Sequence, residues 1–441
     1  MNNSAEQSAD VTLRKVSRRL IPFLFVLYIV AWLDRVNVGF AALQMNSDLA
    51  FSASAAGFGF GVFFVGYCLF EIPSNLILHR VGARIWIARI MITWGAISAA
   101  TMFVRSPLSF YICRFLLGVA EAGFFPGVIY YLGHWYPIRY RAQAIAAFMT
   151  AVPVTGLIGG PLSGALLGLN GQLGLAGWQW LFLAEGIPAV VLGVSVLKFL
   201  NNSPAEVDWL TPAEKAWLTS ELAAEATVSR DQAAASPAAG LFHPVTWRLG
   251  LIFLLTAIGF FGYSFWAPLV IKSLTHTSNF QVGLISAGIS AATICVMLVN
   301  SAHSDHTGER AFHVAIPIAL TAVGFVGCAL IREPILAIAC LALVPIGHCG
   351  SYGPFWSLPT SFLNGSAAAA GVALVTSVAA AGGFFGPVLI GLLKDKTGTH
   401  VASFLVLAVL GLVAAVLAWR LGAKLKTMQR ETDGSGNAGG V

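Results

Sequence analysis

Long apolar runs separated by short polar loops make up most of this chain. By length, and by where polar residues interrupt them, the runs fall near 20–45, 57–79, 85–104, 107–133, 143–168 and 178–200, then 247–271, 281–302, 312–331, 334–360, 367–393 and 400–422. Each is long enough for one α-helix to cross a bilayer, which takes about 20 residues. The pattern therefore predicts an all-α membrane protein with twelve spans, six on each side of one polar stretch.

That stretch runs from Asn201 to His243 and carries Glu206, Asp208, Glu214, Glu221, Glu225 and Asp231. Thr211-Pro212-Ala-Glu214 has the form of a capping box with proline at the first helical position. It predicts a short helix outside the membrane, ending near Glu225, and Ala233–Gly240 reads as a flexible linker. The expected organisation is a tail over 1–19, a six-helix bundle over 20–200, a linker over 201–245, a second bundle over 246–423 and a disordered tail over 424–441.

The two halves share a motif. The loop after the second span reads His79-Arg80-Val-Gly82-Ala-Arg84, and the loop after the eighth reads Asp305-His-Thr-Gly308-Glu-Arg310. Glycine serves a tight turn and the arginine can cap a neighbouring helix. Parallel repeats of this kind suit secondary transporters, whose substrate sites lie near the midplane.

Composition and charge narrow the class. The chain is 57% hydrophobic and 10% charged, against about 25% charged in soluble domains. The net charge of +6 is spread over loops without a basic stripe, so nucleic acid is not an expected partner. If the N-terminus is cytoplasmic, the inner loops hold Arg80, Arg84, Arg139, Arg141, Lys215, Arg230 and Arg310, and the tail adds Arg420, Lys424, Lys426 and Arg430. The outer loops hold only Arg105, Lys272, Arg332, Lys394 and Lys396. This bias predicts both termini in the cytoplasm. Ser17-Arg18-Arg19 approaches a twin-arginine signal, but the run beyond is too long and lacks a small-residue cleavage site. The six cysteines lie in apolar runs and are expected to be packing residues, not disulfides.

Two places set charge inside apolar sequence. The first span carries Asp34, Arg35 and Asn37 near its middle. The fourth carries Arg114, Gly118 and Glu121, spaced four and three apart on one helical face. Charge at such depth is expensive and usually marks an ion or substrate pathway. Pairing of Asp34 with Arg114 and of Arg35 with Glu121 could also staple helices, and both readings stand at this point. Glu71 and Glu185 are read as structural pairs near helix ends, and His348 as packed or close to a cavity. His303, Asp305 and His306 lack a fourth ligand, so no metal is expected.

Several segments carry a family resemblance that covers nearly the whole chain. They are Leu33-Asp-Arg-Val-Asn-Val-Gly-Phe-Ala41, Phe70-Glu-Ile-Pro-Ser-Asn75, Arg114-Phe-Leu-Leu-Gly-Val-Ala-Glu-Ala-Gly-Phe-Phe-Pro-Gly127, Gly177-Trp-Gln-Trp-Leu-Phe-Leu-Ala-Glu-Gly-Ile-Pro188, Gly353-Pro-Phe-Trp-Ser-Leu-Pro359 and Gly382-Gly-Phe-Phe-Gly-Pro387. The chain resembles the major facilitator superfamily and, within it, the anion:cation symporter family of tartrate, phthalate, hydroxyphenylacetate and sugar-acid permeases. The resemblance implies two pseudo-symmetric six-helix bundles and proton-coupled symport of an organic anion by alternating access. It implies that Asp34 and Glu121 take up protons and that Arg35 faces the anionic substrate. Arg114 matches the partner of the fourth-span acid, and Tyr67 and Trp356 match cavity-lining positions. Asn37 and Thr376 complete the candidate substrate contacts. The implied setting is a bacterial cytoplasmic membrane, as a monomer without cofactor. Its partners would be protons, a small organic anion and the lipid bilayer.

Elementary electrostatics fits that implication. A carboxylic acid in low dielectric prefers to be neutral, and a nearby arginine draws it back to the ionised form. An arriving anion that takes the arginine would favour protonation of the acid, a reciprocal coupling. Departures from the family pattern bear on substrate. Thr376 and Ala380 stand where many relatives have asparagine, and His79 where many have aspartate. Fewer amides favour less hydroxylated or aromatic carboxylates, with Phe260, Phe261, Tyr263, Phe265 and Trp266 available to support a ring. Gly156-Leu-Ile-Gly-Gly-Pro-Leu-Ser-Gly164 approximates a drug-antiporter pattern, which keeps proton-driven efflux as the alternative. Neither H-E-x-x-H nor G-x-S-x-G appears, so a membrane-embedded enzyme is not expected.

Overall fold

The computed structural model describes residues 3–231, 237–359 and 365–436. Among these there is no strand, and twelve helices are long and apolar enough to cross a membrane. They are Ala9–Asp48, Ala53–Val81, Ala83–Phe103, Pro107–Gly133, Ile138–Leu167 and Gly177–Phe199, then Pro244–Thr275, Asn279–Thr307, Ala311–Leu330, Pro334–Ser357, Ala370–Thr397 and Val401–Gly422. All twelve expected spans are present, within a few residues at most ends.

Four spans are interrupted. The fourth breaks between Pro107–Glu121 and Phe124–Gly133, and the fifth between Ile138–Met149 and Ala151–Leu167. The tenth breaks between Pro334–Gly350 and Tyr352–Ser357, and the eleventh between Gly365–Ala380 and Gly382–Thr397. These are the same two positions in each half. Proline explains three of the breaks, because it lacks an N–H and crowds the carbonyl four residues back. Pro126, Pro153 and Pro354 withdraw that bond from Ala122, Met149 and Gly350. The eleventh span has the Gly382-Gly383 pair instead, a common site of helix kinks.

The chain divides into two compact units. The first comprises Met1–Phe51, Val62–Ala234 and Ser278–Ala287; the second comprises Ser52–Gly61, Ala235–Thr277 and Gly288–Val441. The second unit has a core of Leu249, Ile252, Val314, Ile318, Phe355 and Val375. In it the Asp395 carboxylate accepts from the backbone N–H of Ala53 (3.0 Å) and Ser54 (2.8 Å), capping the start of the second span.

In the first unit the leading helix starts at Asn3 and continues unbroken into the membrane. Residues 9–19 belong to the expected tail and carry Arg14, Lys15, Arg18 and Arg19. They also carry Ala9, Leu13, Val16 and Leu20, all buried and spaced four, three and four apart on one face. Lys15 reaches Glu214 (2.5 Å), Tyr136 donates its hydroxyl to Ser17 (3.0 Å), and Arg19 lies over Trp209 (5.9 Å). The polar-stretch helix runs Pro212–Asp231. Its capping box closes: Thr211 N–H donates to Glu214 Oε2 (2.8 Å) and Glu214 N–H to Thr211 Oγ1 (3.3 Å). The Lys15 hydrogen bond, with the cap, holds the Glu214 carboxyl below its usual range. Of the expected flexible linker, 232–236 lies outside the described residues and Pro237–Leu241 is helical. The last helix continues to Gly436. Residues 424–436, expected to be disordered, are helical because Lys, Leu, Met, Gln, Arg and Glu there are good helix formers; 437–441 lies outside the described residues.

The third and sixth spans meet through glycine. A Cβ on Gly95 would sit 2.7 Å from the Gly186 carbonyl oxygen, and one on Gly186 would sit 2.7 Å from that of Gly95. Small residues allow such backbone approach where lipid gives no hydrophobic drive to associate. Gly95→Ala should destabilise the transmembrane bundle by about 1–3 kcal/mol, as overpacking does. Gly288→Ala, where nothing lies within 4 Å of the added carbon, should not. Thermal unfolding of the two variants in detergent checks the contrast, and equal melting temperatures would contradict it.

Candidate functional site

Adjacent helix residues point about 100° apart, so Asp34 and Arg35 enter different neighbourhoods. Arg35 turns toward the second and fourth spans. Its guanidinium makes an ion pair with Glu121 and lies over the rings of Trp32 (5.0 Å), Tyr67 (5.2 Å) and Phe63 (5.5 Å). The Glu121 side chain is 1% exposed and that of Arg35 14%. Asp34 turns toward the third span and is fully buried. Its Oδ1 accepts from the Ser98 hydroxyl and from Asn37 Nδ2 (3.3 Å).

Arg114 is buried with its guanidinium over Phe63 (5.1 Å), and none of its side-chain nitrogens has a hydrogen-bond acceptor among the described residues. Of the two pairings weighed from sequence, Arg35 with Glu121 therefore forms, while Arg114 acts on Asp34 and Glu121 through space. Asp34, Arg35, Asn37, Tyr67, Arg114 and Glu121 all lie in the first unit.

Trp356 and Thr376 belong to the second unit. Trp356 stands edge-on to Phe253 (5.0 Å) and Phe355 (5.2 Å). The Thr376 hydroxyl donates to carbonyls of its own helix, Val372 (3.1 Å) and Ala373 (2.9 Å). His348, in the same unit, is buried; its ring stacks on Phe260 (4.3 Å) and its Nε2 meets the Tyr352 hydroxyl (3.0 Å).

Several participants were not foreseen. Glu185 was assigned to a helix end, but it is the ninth residue of Gly177–Phe199 and only 4% exposed. Its Oε1 accepts from Ser163 (3.3 Å), and Asp34 and Asn37 of the first span lie nearby. The break in the fourth span was also missed, although Gly123 and Pro126 signal it. Gly123 adopts φ +87°, a left-handed backbone that favours glycine, directly after Glu121 and Ala122. The Ala122 carbonyl, denied a donor by Pro126, accepts from the Ser74 hydroxyl (2.6 Å), which in turn accepts from Trp86 Nε1 (2.9 Å). Asp305, considered for a metal, is bound by Arg310 (2.6 Å), and no group of three candidate metal ligands occurs among the described residues.

Residues 24–383 match the family described as the Major Facilitator Superfamily. The chain belongs to that superfamily. Two curated relatives extend over nearly the whole transporter. A protein from Agrobacterium vitis provisionally named a tartrate transporter is 48% identical over 92% of this chain and 90% of its own length. A protein from Acinetobacter baumannii named a quinolone resistance transporter is 40% identical over 95% of this chain and 97% of its own. A solved bacterial homologue of the human lysosomal transporter Spinster, in an inward-facing unoccupied conformation, shares the fold with a TM-score of 0.75 at 17% identity, covering 92% of this chain and 97% of that one. The chain is thus a multi-pass membrane transporter of this superfamily and not an enzyme.

Ser74 supports the broken span from outside it. Ser74→Ala leaves both the Ala122 carbonyl and the Trp86 indole N–H without their partner, a loss of about 1–3 kcal/mol for buried polar groups. The expected result is a lower melting temperature of the purified transporter. An unchanged value would show that the break does not depend on this hydroxyl.

Proposed function

We propose that this transporter imports an organic carboxylate together with protons by alternating access. It would act as a monomer in a bacterial cytoplasmic membrane, with both termini inside. The observation that carries the reading is the Arg35–Glu121 pair, a mostly buried cation held by one fully buried carboxylate and surrounded by three aromatic rings. A guanidinium can grip a second carboxylate with two parallel hydrogen bonds. A substrate carboxylate would compete with Glu121 for that fork, and the released acid would then take up a proton. The relative named for tartrate, a dicarboxylate, supports an anionic substrate.

In this reading Asp34 and Glu121 carry protons. Arg35 binds the anion, with Arg114, Asn37, Tyr67, Trp356 and Thr376 as further substrate contacts. Arg114 is a second buried guanidinium without a hydrogen-bond acceptor among the described residues, so an anion would find an unmet donor there. Substitution of Thr376 and Ala380 for amides favours a less hydroxylated or aromatic acid. A second reading, proton-driven efflux of a small organic molecule, is favoured by the relative named for quinolone resistance.

Proteoliposomes with an imposed proton gradient distinguish the two. Under the symport reading, tartrate or an aromatic carboxylate accumulates on the alkaline side, and other carboxylates compete for uptake. A transporter that leaves every carboxylate unmoved but drives a quinolone against the proton gradient would support efflux instead. In the same assay Arg35→Lys retains charge but loses the planar fork. It should weaken carboxylate affinity about tenfold or more, equal to ~1.4 kcal/mol. Unchanged affinity would rule out a direct grip by Arg35.

A further inference from the structure

The interior of the first unit holds an unbalanced set of charges. Asp34, Glu121, Glu185 and Arg114 are each 4% exposed or less, and the Arg35 side chain is 14% exposed. Three fully buried carboxylates thus face two guanidiniums, with half-buried Glu71 of the second span a further acid near Arg35. Arg35 is engaged by Glu121, and Arg114 lies near Asp34 and Glu121. Among the described residues no cation pairs with Glu185. Its hydrogen-bond partner is Ser163 from the fifth span, and Asn37 and Asp34 of the first span lie nearby. The third span offers Ser98, already on Asp34, while its Arg89 is partly exposed and lies over Trp86 (3.8 Å).

The hydrogen bonds carry the same imbalance. Asp34 Oδ2, Glu185 Oε2 and Asn37 Oδ1 are all buried and all lack a donor among the described residues. Geometry brings the two acids to one place: Asn37 (3.3 Å) and Ser98 both donate to Asp34 Oδ1, and Gly186, beside Glu185, packs on the backbone of Ala99, beside Ser98. Buried acceptors without donors are costly, and a buried carboxylate without a cation more so. One proton meets both deficits, because a protonated carboxyl is neutral and supplies one O–H donor.

We propose that Asp34 and Glu185 together hold one resident proton in the empty carrier, with Asn37 linking them, so that Glu185 is part of the proton machinery. The proton balances the third carboxylate. Its O–H can serve the orphaned Asn37 oxygen or the other acid. The inference deepens the proton-coupled reading: when the substrate occupies Arg35, the coupling proton goes to Glu121 and is a second one. Glu185 is a positioning and proton-sharing residue, because nothing places it against substrate.

The test uses purified, substrate-free, full-length protein, so it stands or falls apart from whether a carboxylate is the cargo. Infrared spectra at neutral pH are compared for the carbonyl stretch of a protonated carboxylic acid. Exposed carboxylates are ionised there, and the band reports a buried acid. The wild type should show it. Asp34→Asn and Glu185→Gln should each abolish it alone, since each restores the balance of two carboxylates with two guanidiniums. Glu185→Asp keeps a titratable carboxyl and should keep the band. A wild type without the band overturns the proposal, as does Glu185→Gln with the band at full strength. Loss of the band in Glu185→Asp as well as Glu185→Gln would trace the effect to disturbed packing and also overturn it.

Discussion

Burying a guanidinium inside a helical bundle is tolerable only if something answers its charge, and in this transporter that constraint falls on Arg35 and Glu121. Removing one partner of a buried pair leaves an uncompensated charge, which typically costs 3–5 kcal/mol or so. The surroundings follow from this pair. Trp32, Phe63 and Tyr67 present ring faces to the cation, an interaction strengthened where water is excluded. Gly118 in the fourth span packs on the Phe63 backbone and brings the Glu121 face close to the second span. A site held this tightly still has two available states, because a substrate anion and Glu121 are chemically alike to Arg35.

The broken fourth span is the structural counterpart of that exchange. Glu121 is the last residue of its helical segment, and the backbone turns at Ala122 and Gly123 before resuming. Interrupted helices occur in membranes only where protein or a cavity satisfies the freed backbone groups. Here Ser74 supplies the partner. An acid at the end of a helical segment can shift without unwinding the whole span. Repetition of the breaks in the tenth and eleventh spans extends this arrangement to the second half.

Much of this was legible in the chain. Twelve spans follow from apolar length alone, and the capping box at Thr211 placed a helix that the structure contains. Arg35–Glu121 and Asp34–Arg114 were both named from the sequence as pairings that could staple helices, and the first of them forms. Burial of Glu185 was not legible, because one acid in an apolar run looks the same whether it meets a cation, a proton or a loop. Packing of the sixth span on the first, third and fifth puts it near Asp34, Asn37 and Ser163. The helical start of the chain was hidden for a different reason. Its charges masked the helical spacing of Ala9, Leu13, Val16 and Leu20, all of them buried, while Lys15 on the same stretch meets Glu214 of the polar-stretch helix.

Competition between a substrate carboxylate and Glu121 for Arg35 is the central claim, and binding measured against pH addresses it most directly. Affinity of the purified transporter for a carboxylate that competes in uptake would be followed from about pH 5 to 8, which spans plausible carboxyl values in proteins. The wild type should bind more tightly as pH falls, because protonation of Glu121 frees the guanidinium. Glu121→Gln, which mimics the protonated acid, should bind with little pH dependence while transporting poorly. If Glu121→Gln keeps the wild-type slope, the competing proton is bound elsewhere and the account is wrong.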